Sequence, residues 1–111
     1  MNINDVTPED ILDSLSSLTN KEMKILTAIY SSPGCLLTSE ELKKKLNILP
    51  TQVGILGKKI GKLCGVTDFG TYKEGRSYKP AYFSMIGNYT EMGWALNDSI
   101  RVALKIHFKK K

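Results

Sequence analysis

The sequence predicts a single α+β domain that is mainly helical, with a β-rich segment in its second half. From Thr7 to Gly65, apolar residues recur at three- and four-residue spacing, which is typical of amphipathic helices. After Gly65 the pattern changes to alternation with many aromatic residues, which is typical of strands. Because 111 residues are about enough for one hydrophobic core, we expect one domain over residues 1–111.

The first two predicted helices have recognisable starts and a clear stop. Thr7 is expected to be the N-cap of the first helix, and Thr19 with Glu22 forms the capping-box pattern of the second. Pro33 and Gly34 end the second helix, because neither residue continues a helix well. The apolar residues expected to face the core are Ile11, Leu12, Leu15, Leu18, Met23, Ile25, Leu26, Ile29 and Tyr30.

Two further helices are predicted on either side of a tight turn. The third begins at a capping box of Thr38 and Glu41 and ends at residues 47–50, since the residue before a proline disfavours helix. A very short strand at residues 36–37 precedes it. The fourth is expected over about residues 51–64, with Gly65 as its C-terminal cap. The third helix is expected to bury Leu42, Leu46 and Ile48.

The fourth predicted helix has an apolar and a basic face. Its expected buried stripe consists of Val53, Leu56, Ile60, Leu63 and Cys64. Its opposite face consists of Gln52, Ile55, Lys59 and Lys62, with Lys58 beside it. Gly54, Gly57 and Gly61 each destabilise a helix by about 1 kcal/mol relative to alanine. We expect close packing to explain Gly57, and leave packing, partner approach and tolerated weakness open for the other two.

The remaining residues predict strands and a last helix. Strands are expected over 67–72, 78–86 and 89–96, with turns at 73–76 and 87–88. The aromatic residues of these strands are expected mainly in the core and in cross-strand pairs, and some could form a protein-binding surface. The last helix is expected over 98–108 after Asn97, with Ile100, Ala103, Leu104 and His107 inward. Because Val102 and Ile106 form a second apolar side, we expect a homodimer.

Charge is distributed unevenly along the chain. Residues 1–48 hold five lysines and seven acidic residues, a net charge of −2. Residues 49–111 hold eleven basic and four acidic residues, a net charge of +7. A polyanionic partner would explain this asymmetry, although a merely solvated basic surface would give the same charge.

Other functional classes receive little support from the sequence. His107 is the single histidine, and it is too far in sequence from Cys35 and Cys64 to suggest a metal site. The glycine-rich stretch at 54–62 lacks the ending of a phosphate-binding loop. No apolar run approaches the ~20 residues of a membrane span, and the acidic N-terminus is not a secretory signal. We therefore expect a cytoplasmic protein that is not an enzyme, with no metal, no cofactor and no membrane partner.

The order of elements resembles that of the winged helix-turn-helix family over about residues 19–108. The best-matched stretches are LTSEELKKKLNILPTQVGILGKKIGKL and YTEMGWALNDSIRVAL. The resemblance implies a helix-turn-helix at about 38–64, a β-hairpin wing at about 67–96 and a C-terminal helix at about 98–108. The ending G-W-x-L-x-x-x-I-x-x-A-L also resembles small winged-helix modules that accompany restriction-type nucleases in bacteria and phages.

The resemblance implies that double-stranded DNA is the partner. The fourth helix would then enter the major groove, where Gln52 could pair with adenine and lysines could reach phosphates or guanine. The hairpin would touch the backbone or minor groove. The residues expected at the interface are Thr51, Gln52, Ile55, Lys58, Lys59, Lys62, Arg76, Tyr78 and Lys79. The family pattern differs here in two ways: the helix has three glycines and no arginine, and the segment after it is long.

Two alternatives remain open at this point. Thr51 could be only a helix cap, and the basic face and the 73–76 turn could be ordinary solvated surface. The second functional hypothesis is a protein-interaction module or inhibitor on the same scaffold, of the kind carried by a phage or another mobile element. Binding to random duplex DNA would separate the two hypotheses.

Overall fold

A computed structural model describes residues 2–32, 34, 36–90 and 93–109. Its helices are α1 (Pro8–Leu15), α2 (Asn20–Tyr30), α3 (Ser39–Leu46), α4 (Pro50–Leu63) and α5 (Asp98–Lys109). Its strands are β1 (Leu36–Leu37), β2 (Thr71–Glu74), β3 (Ser77–Pro80), β4 (Gly87–Thr90) and β5 (Gly93–Leu96). Short 3-10 helices lie at Ile3–Asp5 and Tyr82–Met85. The expected α+β, mainly helical class is confirmed.

The predicted helix caps are present. The hydroxyls of Thr7, Thr19 and Thr38 each accept a hydrogen bond from the backbone N–H three residues later. At residues 19 and 38 the glutamate three residues later accepts from the threonine N–H in return. These reciprocal bonds satisfy backbone N–H donors that a helix N-terminus otherwise leaves unpaired. Residues within one turn therefore determine where each of these helices begins.

A three-stranded antiparallel sheet, in the order β1–β5–β4, closes the helical core. Leu36 lies opposite Ala95, and Gly87 lies opposite Leu96. The helices contribute the largest fully buried side chains, which include Ile11, Leu26, Ile29, Leu42, Val53, Leu56, Ile60, Ile100 and Leu104. Leu12, Leu18, Met23, Tyr30 and Leu46 are half-buried against this cluster, so the expected helical faces are largely confirmed.

The β-rich segment differs from the strands that the sequence predicted. The continuous strand expected over 78–86 is wrong, because a 3-10 helix replaces its second half. The residues after Pro80 are apolar without alternation, and a compact turn buries Ala81, Met85 and Ile86 together. The strand expected from residue 67 begins at Thr71, residues 73–74, expected in a turn, belong to β2, and residues 87–88, expected as a turn, lie within β4. The single strand expected over 89–96 is also wrong, because residues 89–90 end β4 and residues 93–96 form β5, which pairs back with β4. The segment therefore forms two hairpins, β2–β3 and β4–β5.

The buried stripe of α4 is shorter than predicted. Val53, Leu56 and Ile60 are fully buried, but Leu63 is 47% exposed and Cys64 is half-buried. Spacing does not explain this exposure, because Val53 and Leu56 are also three residues apart and both are buried; Leu63 differs in being the last residue of α4. The sequence interpretation of Leu63 as a core residue is therefore wrong.

Some expectations concern residues outside the described part of the chain. These are the helix stop expected at Pro33 and positions 91–92 of the strand expected over 89–96. Within the described residues, no helix is both long and apolar enough to cross a membrane.

Candidate functional site

The outer face of α4 presents polar, basic and apolar side chains to solvent. Thr51, Ile55 and Lys62 are exposed and follow one another at spacings of four and seven residues, which place them on the same side of a helix. Ile55 is 67% exposed and lies at the middle of this face. Lys58 is half-buried beside it. This face remains available for a partner, while Val53, Leu56 and Ile60 hold the helix to the core.

The β2–β3 hairpin is exposed along its whole length. Every residue of both strands is solvent-exposed, and Arg76 lies in the turn beside Gly75, whose φ of 62° suits glycine. Lys73 lies opposite Tyr78, which is 70% exposed. Because side chains on a strand alternate, this pair lies on the hairpin face opposite that of Tyr72. A hairpin with no buried side chain contributes little to the core and is suited to contacting a partner.

An aromatic cluster anchors the base of this hairpin beside α4. The ring of Tyr72 packs edge-on against Phe83 at 5.3 Å between centroids, and Phe69 packs in the same way against Tyr82 at 4.9 Å. The Lys58 ammonium lies 5.0 Å from the centre of the Tyr82 ring, a cation–π distance. The cluster therefore links the hairpin to the Lys58 side of α4.

Two of the three α4 glycines permit this arrangement. A Cβ at Gly57 would collide with the Tyr82 backbone carbonyl, and one at Gly61 would collide with the Phe69 ring. The expected packing role of Gly57 is thus confirmed. Gly54 meets nothing within 4 Å, so no packing contact explains it. The glycines indicated close approach, but the sequence could not show that the approaching element is the 3-10 helix.

We define the α4–hairpin surface by eight residues of α4 and the β2–β3 hairpin whose side chains are exposed or half-buried and free of the Glu22 and Leu49 contacts described below. It comprises Thr51, Ile55, Lys58, Lys62, Lys73, Arg76, Tyr78 and Lys79. Seven of these eight were predicted site residues, and the structure places four of the seven on α4 and three on the β2–β3 hairpin. Lys73 was missed because its position opposite Tyr78 depends on the hairpin register, which the sequence interpretation placed differently.

Lys59, a predicted site residue, is engaged in an ion pair. Its Nζ donates to Oε1 of Glu22 at 2.7 Å, and the two side chains are 37% and 21% exposed. Burial raises the pKa of the Glu22 carboxyl, but hydrogen bonds from Lys59 and Thr19 outweigh it and hold that pKa below 4.5. Lys59 thus connects α4 to the start of α2, and its ammonium group already has the Glu22 carboxylate as its anionic partner.

This ion pair predicts a pH-dependent stability. Because the folded state lowers the pKa of Glu22, the pair stabilises the protein above pH 4.5 and loses that effect as pH falls through the lowered value. We expect Glu22→Gln, which retains a capping acceptor, to be less stable by up to about 1 kcal/mol at neutral pH. Urea unfolding from pH 3 to 7 should show the difference shrinking in acid; a pH-independent difference would contradict the assignment.

Gln52 has a structural role that the sequence did not predict. Its side-chain oxygen accepts the Leu49 N–H at 2.8 Å, which caps α4 one residue earlier than expected, with Pro50 at the first helical position. Bidentate pairing with adenine needs both the oxygen and the nitrogen of that amide aimed at the base, so the side chain would have to leave its capping position. Base recognition by Gln52 remains a prediction that now carries this energetic cost.

On the hairpin, Lys79 is paired with Glu74. Their charged atoms lie 3.1 Å apart, and Tyr72 Oη also donates to Glu74. The hydrogen bond from Lys79 lowers the pKa of Glu74 and raises that of Lys79. Because both side chains are more than half exposed, the pair is weak and a polyanion could displace the carboxylate.

The charges are unevenly distributed between the segment that holds the site and the N-terminal segment. Residues 49–80 carry six basic and two acidic residues, a net charge of +4. Residues 1–18, which include α1, carry four acidic residues and no basic one. Within the described part of the chain, no group of three histidine, cysteine or acidic residues is placed to hold a metal ion.

Comparisons of the chain with models of protein families, with curated proteins and with solved structures return no match. The geometry and charge of the α4–hairpin surface are therefore the basis of the functional proposal.

Proposed function

We propose that this protein is a DNA-binding domain of the winged-helix type that acts as a small transcriptional regulator or DNA-recognition module. The observation that carries the proposal is the anchoring of an exposed basic hairpin beside the exposed basic face of α4. In this arrangement α4 enters the major groove, which is wide enough for an α-helix, and the hairpin is the wing.

The cations of the surface divide between the two elements. Lys58 and Lys62 lie on α4, and Lys73 and Arg76 lie on the hairpin. The helix and the hairpin can therefore each reach phosphates, one on each side of a groove. Attraction of this kind is independent of sequence and releases counterions, so it decreases steeply with salt. Tyr78 and Lys73, opposite each other, supply an aromatic ring and a charge on one hairpin face.

Fluorescence anisotropy with a labelled random duplex tests the proposal. We expect binding at about 50 mM salt that weakens as salt rises, with a slope of ~0.9 for each phosphate contact. Absence of duplex binding at low salt would refute the DNA-binding function.

We also propose that the protein is a homodimer that uses α1 or α5. Val102, on α5, is 41% exposed and lies away from the buried Ile100, Ala103 and Leu104, and Ile106 is half-buried. A two-fold dimer would match a palindromic site. Sedimentation equilibrium at tens of micromolar, a concentration typical of moderate affinities, should show twice the chain mass. A clean monomer at that concentration would remove the claim.

One observation favours a second candidate function, a protein-interaction module on the same scaffold. Leu49 and Leu63 are about half exposed at the two ends of α4, and Ile55 is exposed between them. Apolar side chains at such density are also typical of protein-binding surfaces. The two functions differ in salt response, since apolar docking is little weakened by salt whereas phosphate binding is strongly weakened.

A further inference from the structure

We infer that Ile55 is a specificity-determining residue that recognises the C5-methyl group of thymine in the major groove. The inference rests on the proposed DNA-binding function and adds the base feature that α4 recognises. It starts from the position of Ile55, the most exposed aliphatic side chain of the described residues and the middle of the outer face of α4.

The neighbours of Ile55 place it between phosphate-binding groups. Thr51 lies one helical turn before it, Lys58 lies one turn after it and Lys62 lies two turns after it. When the helix N-terminus at Thr51 and the lysines after Ile55 contact phosphates at the edges of a groove, the side chain between them faces the base edges. Ile55 is therefore the α4 side chain that reaches furthest toward the bases.

Because isoleucine is apolar, the thymine methyl group is the one group on the major-groove base edges that it can contact favourably. It can neither donate nor accept a hydrogen bond, and the base edges there carry donors, acceptors and the thymine methyl group. Burial against an acceptor or donor would leave that polar group unpaired, which is unfavourable. Contact with the methyl group instead buries apolar surface on both partners, which is favourable.

Two other α4 candidates for base recognition, Gln52 and Lys59, already have hydrogen-bond partners within the protein. The Gln52 side-chain oxygen accepts the Leu49 N–H at 2.8 Å, and Lys59 is held by Glu22 at 2.7 Å. With Lys58 and Lys62 assigned to phosphates, Thr51 and Ile55 are the uncharged side chains of this face that remain. Of these two, Ile55 has the larger apolar surface and lies at the middle of the face, so we assign to it the methyl group by which thymine differs from uracil.

The experiment compares duplexes that contain thymine or uracil. A preferred duplex is first selected from a randomised pool with the wild-type protein, and each thymine is then replaced in turn by deoxyuridine. At one or more positions we expect binding to weaken by about four-fold, the factor for loss of one buried methyl-sized group. Ile55→Ala should bind thymine and uracil duplexes equally, because it lacks the side chain that contacts the methyl group.

Leu63→Ala is the matched control, since Leu63 is an exposed aliphatic residue at the C-terminal end of α4, outside the α4–hairpin surface. It should keep the four-fold difference. The inference is overturned if no preferred duplex emerges, if uracil duplexes bind as tightly as thymine duplexes, or if Ile55→Ala still discriminates. In each of these cases binding to duplex DNA would leave the proposed function standing, whereas absence of any binding would refute both.

Discussion

Replacing Lys58, Lys62 and Arg76 together by alanine is expected to weaken binding to duplex DNA of any sequence by roughly a hundred-fold or more at ~50 mM salt. Each lost phosphate contact should also lower the salt-dependence slope by about 0.9. Lys59 is left intact because its ammonium is held by Glu22 at 2.7 Å. Anisotropy titrations at several salt concentrations would measure both effects.

A control variant separates a local site from general charge. Lys24, Lys105 and Lys109 are exposed and lie on α2 and α5, so their replacement by alanine removes the same charge outside the α4–hairpin surface. We expect this variant to bind within a few-fold of the wild type and to keep most of the salt slope. Equal weakening by the two triple variants would show that net charge, rather than this surface, attracts DNA.

A second pair of variants is expected to change stability in opposite directions. Gly57→Ala places a Cβ against the Tyr82 backbone carbonyl, and backbone cannot move aside as a flexible side chain can, so we expect a loss of about 1–3 kcal/mol. A Cβ added at Gly54 meets nothing within 4 Å, so Gly54→Ala should stabilise the protein by up to about 1 kcal/mol, because alanine has the higher helix propensity. Chemical denaturation of both variants measures the contrast.

The variants Gly57→Ala and Gly54→Ala also test whether the 3-10 helix at residues 82–85 holds the hairpin in place. Because Tyr82 and Phe83 connect α4 to Tyr72 at the hairpin base, Gly57→Ala should also weaken hydrogen-exchange protection at the base of the hairpin. Gly54→Ala should leave that protection unchanged. Similar stability changes in the two variants would contradict the packing described for Gly57.

Local signals allowed the sequence to predict the helical half well. Threonine caps at 19 and 38 each come with a glutamate three residues later, and apolar spacing fixes which faces are buried. These interactions involve residues within one or two turns, so they can be recognised without knowledge of the fold. Leu63 was misassigned because spacing alone does not show where the covering elements end.

The β-rich half was harder to predict because its structure depends on distant contacts. The 3-10 helix at 82–85 forms where Tyr82 packs against α4 and Phe69, which lie many residues earlier. Strand register decides that Lys73 faces Tyr78, and alternation in the sequence fitted more than one register. The capping role of Gln52 was hidden for a related reason, because a leucine at the N-cap position gives no capping signal.

The most direct test of the account is an NMR titration of the isotope-labelled protein with a short duplex. If α4 and the hairpin form the DNA interface, amide shifts should concentrate at residues 51–62 and 73–79. The acidic α1, at Pro8–Leu15, should change little. Shifts concentrated on α1 and α5, or no shifts at low salt, would contradict the claim that the α4–hairpin surface binds DNA.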